Sequence, residues 1–423
     1  MSLRLFSDDT FVEAKKNVFF PARAITSPEH LVGRTKQLNQ IKRAFSNEGK
    51  QIFIYGERGV GKTSLAKTAA YVHQSSENEP VLVACSPESS FASIMQDIIR
   101  SCLPTHGSIQ KTSVTRNNTV GVKGLGHSVI ETIESGDVPE ISSVNQAIVT
   151  LKFIAQKHSN RPVVIVDEFD RISIPEERAR FADFLKQISD QTLPIQFIFC
   201  GIASDVDGLL GEHFSAGRYI APIEIGPLPM DALWEIFDKA EAVFGVNIDK
   251  EIKVRAALVA DGYPYFMHLI GDSLLWNMFE TQSDKADAFM FDQSISQAVD
   301  EAEPMLRQHY DNATQKYESK DYREVLWSVS APKVFPKKWR EIYDDYYLEM
   351  VKNRGEQECL SADSFYKRLL NLTKSSHGEI LLTNENGWYK FSENVVRSYV
   401  RMRASEAGVN LGPDLPGPLS TNQ

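Results

Sequence analysis

The segment GERGVGKT at 56–63 has the GxxxxGK[ST] spacing that binds phosphate. Gly56, Gly59 and Gly61 let backbone N–H groups turn inward around phosphate oxygens, and the helix that follows adds its positive N-terminal end. Lys62 is spaced to reach the β- and γ-phosphates of a nucleoside triphosphate, and the Thr63 hydroxyl to sit on Mg2+. Val60 and Ser64 complete the loop's lining. Further along, VVIVDE at 163–168 is a buried strand that delivers two carboxylates at its C-terminal end. Asp167 is placed to hold the Mg2+ shell, and Glu168 to orient or deprotonate an attacking water. Alone, Asp-Glu after a strand could equally be a solvated helix cap; with the loop upstream, the chemistry is ATP hydrolysis. Asp170 reads as a capping group.

These groups must be positioned by an α/β core. From 31 to 225 short β-branched runs (QIFIY, PVLVAC, PVVIVD, IQFIFC, YIAPIEI) alternate with helical patterns, which predicts a mostly parallel sheet covered on both faces. A mixed, Pro-punctuated arm occupies 1–30. Residues 104–140, rich in Gly, Ser, Thr and Asn, interrupt the core as an irregular insertion. After GPLP the strands stop, and 226–318 reads as a helical lid with apolar residues at three- and four-residue spacing, such as Leu233, Ile236, Phe237 and Ala240. Residues 319–404 read as three helices, two short strands around NENG and a final helix, the layout of a winged helix-turn-helix. A flexible tail covers 405–423.

Composition bounds the rest. The 423 residues carry a net charge of -10, which excludes a wholly basic nucleic-acid coat protein. Cys85, Cys102, Cys200 and Cys359 lie far apart, without the spacing of a zinc site or a disulfide framework. The N-terminal residues lack the apolar stretch of a secretory signal, and no apolar run approaches a membrane span. The expectation is a soluble, cytoplasmic protein with no membrane partner.

Together these motifs resemble the AAA+/STAND side of the P-loop ATPases, most closely the initiator-type, origin-recognition-like ATPases with a C-terminal winged helix and their bacterial stand-alone relatives. The resemblance covers about 31–404. LVGR at 31–34 is similar to the motif whose backbone and Arg flank the adenine, which carries over to Val32, Gly33 and Arg34; Gln37 stands where that family has an acidic residue. It implies a γ-phosphate sensor after the strand IQFIFC, with Ser204 the first choice and Asp205 the second. It implies that Arg218, in EHFSAGRYIAPIEI, reaches a neighbouring subunit's γ-phosphate as an arginine finger, which requires a homo-oligomer assembled through its ATP sites. GYP at 262–264 resembles the STAND lid motif, with Pro264 packing near the base; Tyr265 replaces the Arg that initiator ATPases place there.

The recognition helix of the winged helix would be Asp363–Lys374. Phe365, Leu369 and Leu372 face its core, leaving Ser364, Lys367, Arg368, Asn371 and Lys374 to face outward towards duplex DNA. Residues 319–404 hold 15 Lys and Arg against 12 Asp and Glu, a locally positive module on an acidic chain. Two functions follow from the resemblance. One is an ATPase that assembles on DNA, as in replication initiation, transposition or anti-phage defence. The other is a nucleotide-gated signalling switch acting with a separately encoded effector. A small-molecule kinase shares the loop, but not the Asp-Glu strand with lid and winged helix.

Overall fold

The structure, a computed structural model, describes residues 3–74, 78–102, 140–159, 161–191, 193–202, 216–315, 320–355 and 359–411. Five strands, β1 (Gln51–Tyr55), β2 (Val81–Ala84), β3 (Val163–Asp167), β4 (Gln196–Gly201) and β5 (Ile220–Glu224), form a parallel sheet in the order β2-β3-β4-β1-β5. Every residue of β3 is buried, which is why that strand reads as an unbroken apolar run ending in a carboxylate. The P-loop strand and the Asp167 strand are not neighbours, because β4 lies between them. Val166 is level with Phe199, and Phe199 with Phe53. Asp167 therefore emerges beside the end of β1, where the phosphate loop departs.

Helices α1 (Asp8–Lys15), α2 (Thr35–Phe45), α3 (Lys62–His73), α4 (Phe91–Cys102), α5 (Val144–His158), α6 (Pro175–Asp190) and the short α7 (Ala216–Tyr219) belong to the arm and core. One sheet face packs on α4 and α6 through edge-to-face phenylalanines, among them Phe169–Phe199 at 5.6 Å and Phe91–Phe181 at 5.0 Å. The other face packs on α2 and α3 in a cluster that runs on without a break into the C-terminal helices.

The lid comprises α8 (Met230–Phe244), α9 (Lys250–Ala260), α10 (Pro264–Glu280), α11 (Ala288–Glu301) and α12 (Pro304–Thr314). The N-terminal arm is folded onto it. Phe11 of α1 stacks on Phe279 with ring centroids 3.9 Å apart, and Lys15 pairs with Asp272 at 2.5 Å in a largely buried site. Then come α13 (Asp321–Ser330), the continuous helix α14 made of Trp339–Glu341, a π-turn at Ile342–Tyr347 and Leu348–Asn353, and α15 (Ala362–Asn371). The hairpin of β7 (Leu381–Thr383) and β8 (Trp388–Phe391) gains a third strand, β6 (Lys337–Lys338), that the sequence pattern did not announce.

The last helix, α16 (Asn394–Glu406), is buried on all sides, from Val395 and Val396 to Tyr399, Val400 and Met402. Residues 405–411, expected to belong to a flexible tail, are folded onto the core. α16 runs to Glu406, and Val409 and Leu411 are buried against the same core. Residues 412–423 and the 104–140 insertion, apart from Glu140, lie outside the described residues. Among the described residues no helix is long and apolar enough to cross a membrane.

Candidate nucleotide site

At the end of β1 the chain turns at Gly56, where a Cβ would stand 2.0 Å from the Ile225 carbonyl oxygen, so no larger residue fits. The loop closes on Gly61 in the left-handed region, and α3 begins at Lys62 with its N-terminus facing the loop. The Lys62 ammonium donates to the carbonyl oxygens of Gly56 and Glu57, 2.9 Å each. Burial lowers its pKa, with Asp170 the leading opposing charge. Thr63 Oγ1 donates to Asp167 Oδ2 at 2.6 Å, and Asp167 Oδ1 accepts from the Glu168 backbone N–H at 2.9 Å. Asp167 is thus held at both oxygens. Glu168 adopts a left-handed backbone (φ 54°), and its carboxylate pairs with Arg171 at 2.8 Å, where both side chains are about half exposed (47% and 49%).

The loop forms one end of a cavity of about 610 Å³ lined by residues 58–64, Asp167, Glu168 and Asp170. Its other end is largely apolar, with Phe20 to Ile25, Leu31, Val32, Leu228, Pro264, Tyr265 and His268. The arm is fixed there by bonds to α3. The Ile25 N–H donates to Ser64 Oγ at 3.2 Å, and Thr68 Oγ1 donates to the Ile25 carbonyl at 3.2 Å. Buried Arg34 donates to the carbonyls of Val60 (2.9 Å) and Gly226 (2.6 Å), bracing the loop against the core–lid connection. Desolvation brings its pKa down to about 10. Val32 and Arg34 line the cavity, whereas Gly33 packs against Ala232 and Leu228.

Lys62, Thr63, Asp167, Glu168 and Pro264 are therefore gathered around one cavity. Arg218 is exposed on α7 and lines no part of it. Ser204 and Asp205 lie outside the described residues. The helix expected to run to Lys374 ends at Asn371, and the outward set on α15 and the turn after it divides. Lys367 and Lys374 are exposed, while Ser364 is half-buried. Arg368 and Asn371, expected to face outward, turn to α13 instead: Arg368 pairs with Asp321 at 2.5 Å, and Asn371 donates to Tyr322 Oη at 2.9 Å. Both lie on the flank of the helix that packs against α13, where a half-buried polar group needs a partner. Exposed Tyr366 shares the open face, 5.0 Å from Trp339.

Sequence reasoning missed how the loop's Glu57 is held. Its Oε2 accepts from Tyr263 Oη at 2.7 Å and its Oε1 from Asn394 Nδ2 at 2.8 Å. Burial, then the Glu57 hydrogen bond, raises the Tyr263 pKa. A Cβ on Gly59 would sit 3.0 Å from Val395 and 3.3 Å from Tyr263. The phosphate loop thus touches the lid and the last helix directly. The aromatic run NVFF before the arm's proline was the available signal for the base end of the cavity. Nothing in local spacing points from Glu57 to Asn394.

The model of an ATPase domain predominantly from Archaea matches residues 31–268. No curated protein matches. Among solved structures, the Walker-type ATPase PABY2304 of Pyrococcus abyssi superposes with a TM-score of 0.50 at 15% identity, over 90% of this chain and 99% of that one. The Aeropyrum pernix ORC2 protein, solved as ADPNP–ADP complexes, gives 0.48 at 12%, over 92% and 98%. Cdc6p from Pyrobaculum aerophilum gives 0.43 at 13%, over 92% and 98%.

Proposed function

Since this chain belongs to the family of ATPase domains predominantly from Archaea, we propose that it hydrolyses Mg-ATP in the cavity between P-loop and lid, assembles through that site, and engages duplex DNA through its winged helix. The observation that carries the hydrolytic reading is the 2.6 Å bond between Thr63 and Asp167, which joins loop and strand across the intervening β4. Two hard oxygens side by side at the phosphate end fit Mg2+, which takes one or two protein oxygens and completes its shell with phosphate and water. When bound, that ion neutralises phosphate charge.

The chain's own groups do the rest. Lys62 stabilises charge on the β- and γ-phosphates. Glu168 orients the water and takes its proton as oxygen bonds to the γ-phosphorus and the bond to ADP breaks. The Glu168–Arg171 pair holds that carboxylate at the rim meanwhile. Arg218, exposed and away from its own chain's cavity, is the group a neighbouring copy would supply in trans. Exposed Lys367 on α15 and exposed Lys374, in the turn after it, are the phosphate-contacting pair.

Steady-state turnover and mass determination of wild type and Glu168→Gln, each with and without duplex DNA, test this reading. Turnover raised by DNA and a Glu168→Gln oligomer that holds ATP support it; turnover indifferent to DNA in a protein of one size removes the DNA and assembly parts.

A second reading, a nucleotide-gated switch working with a separately encoded effector, is favoured by the Glu57 contacts. The loop that binds phosphate is the loop that Tyr263 and Asn394 hold, so nucleotide and winged helix act on the same residues. Copurification of a partner protein only in the ATP form supports that version.

A further inference from the structure

His268 sits one turn after Pro264 on α10, so both side chains share a helix face. Its ring is 4% exposed, yet it lines the nucleotide cavity at the end away from the phosphate loop. Phe19 and Phe20 pack edge-on against it, with centroids 6.3 and 5.6 Å away. Among the described residues, neither Nδ1 nor Nε2 has a hydrogen-bond partner. A buried polar group without a partner is costly and rare in a native fold. The other polar side chains at this end are already engaged: Arg23 with the Lys16 carbonyl, Arg34 with two carbonyls, and Tyr265 Oη with the Glu303 N–H. Burial, then the charges of Lys239 and His30, keeps the imidazole neutral, with a pKa down to about 3. A neutral imidazole carries one donor and one acceptor nitrogen.

We infer that His268 reads the nucleobase, accepting a hydrogen bond from the exocyclic amino group of adenine while Phe20, Leu31, Val32 and Pro264 enclose the ring. The proposal rests on the ATP-site reading and adds to it the group that selects the base. A site built to bond a polar group discriminates strongly against an analogue that lacks it, because its own buried atom is then left unpaired.

The test is equilibrium binding of ATP, purine riboside triphosphate (which lacks the amino group) and inorganic tripolyphosphate, with Mg2+ present. Wild type is expected to prefer ATP to purine riboside triphosphate by tenfold or more. His268→Leu is expected to bind those two alike, with tripolyphosphate affinity unchanged, and His268→Gln to keep part of the preference. Equal affinity of wild type for ATP and purine riboside triphosphate overturns the proposal while leaving the phosphate site intact. So does an unchanged preference in His268→Leu. If wild type binds neither nucleotide nor tripolyphosphate, the ATP-site reading falls, and the proposal with it. The wild-type comparison needs no variant and decides the matter even if His268→Leu does not fold.

Discussion

At the scale of single residues, the proposed site separates groups assigned to act on phosphate from groups that hold them. Lys62 is partly desolvated and braced by two carbonyls. Lys62→Ala is expected to cut kcat by ~10²–10³, the range for losing one preorganised charge-stabilising donor, as read by steady-state phosphate release. Glu168→Gln keeps the side chain's shape but cannot take a proton. It should lower kcat by ~10²–10⁴ while ATP affinity in a binding assay stays near wild type. His268 adds a dependence on acidity. Its folded pKa of about 3 lies below the ~6.5 of an unfolded histidine, so in acid only the unfolded chain takes the proton. The stability tied to this ring is whole above pH 6.5 and lost as pH falls towards 3, at up to ~1.4 kcal/mol per pH unit. Thermal unfolding between pH 7 and 4 should fall less steeply in His268→Leu than in wild type.

At the scale of elements, α15 shows why some of the chemistry was readable in sequence and some was not. The strands of the core, the loop and the Asp-Glu end of β3 are local patterns, and the structure brings them around one cavity. The outward face of α15 is not local. Arg368 and Asn371 have the spacing of solvent-facing residues, but their partners Asp321 and Tyr322 stand in a distant helix that no periodicity announces. The same holds for the arm, whose aromatic residues were visible while their docking on α10 was not. The partition along α15 and the turn after it has a measurable outcome. Lys367→Ala and Lys374→Ala should each weaken duplex binding evenly across sequences and reduce the salt slope by ~1, with thermal stability unchanged. Arg368→Ala should lower the melting temperature instead, because it removes a half-buried ion pair between α15 and α13.

At the scale of the whole molecule, the winged helix is wired into the rest. Asp261, at the end of α9, takes both Arg397 and Arg401 from α16, the latter at 2.9 Å. Arg401, 3% exposed, also donates to the carbonyls of Ser330, Leu258 and Pro332. One guanidinium therefore joins lid, α13 and last helix. Arg401→Ala is expected to cost ~3–5 kcal/mol, the range for breaking a buried pair, measured by chemical denaturation. There is also a consequence for how the molecule is made. α1 closes on α10 from the start of the chain, whereas α16, Val409 and Leu411 close the adjoining core from its far end. Part of the lid's packing is thus completed by a segment made after α9 and α11, and until residue 411 is free of the ribosome the apolar faces of those two helices wait without that cover. The nascent chain has to carry that exposed surface from the synthesis of α9 to that of α16, and a ribosome stalled between them would hold a chain with its ATPase motifs intact and its core open.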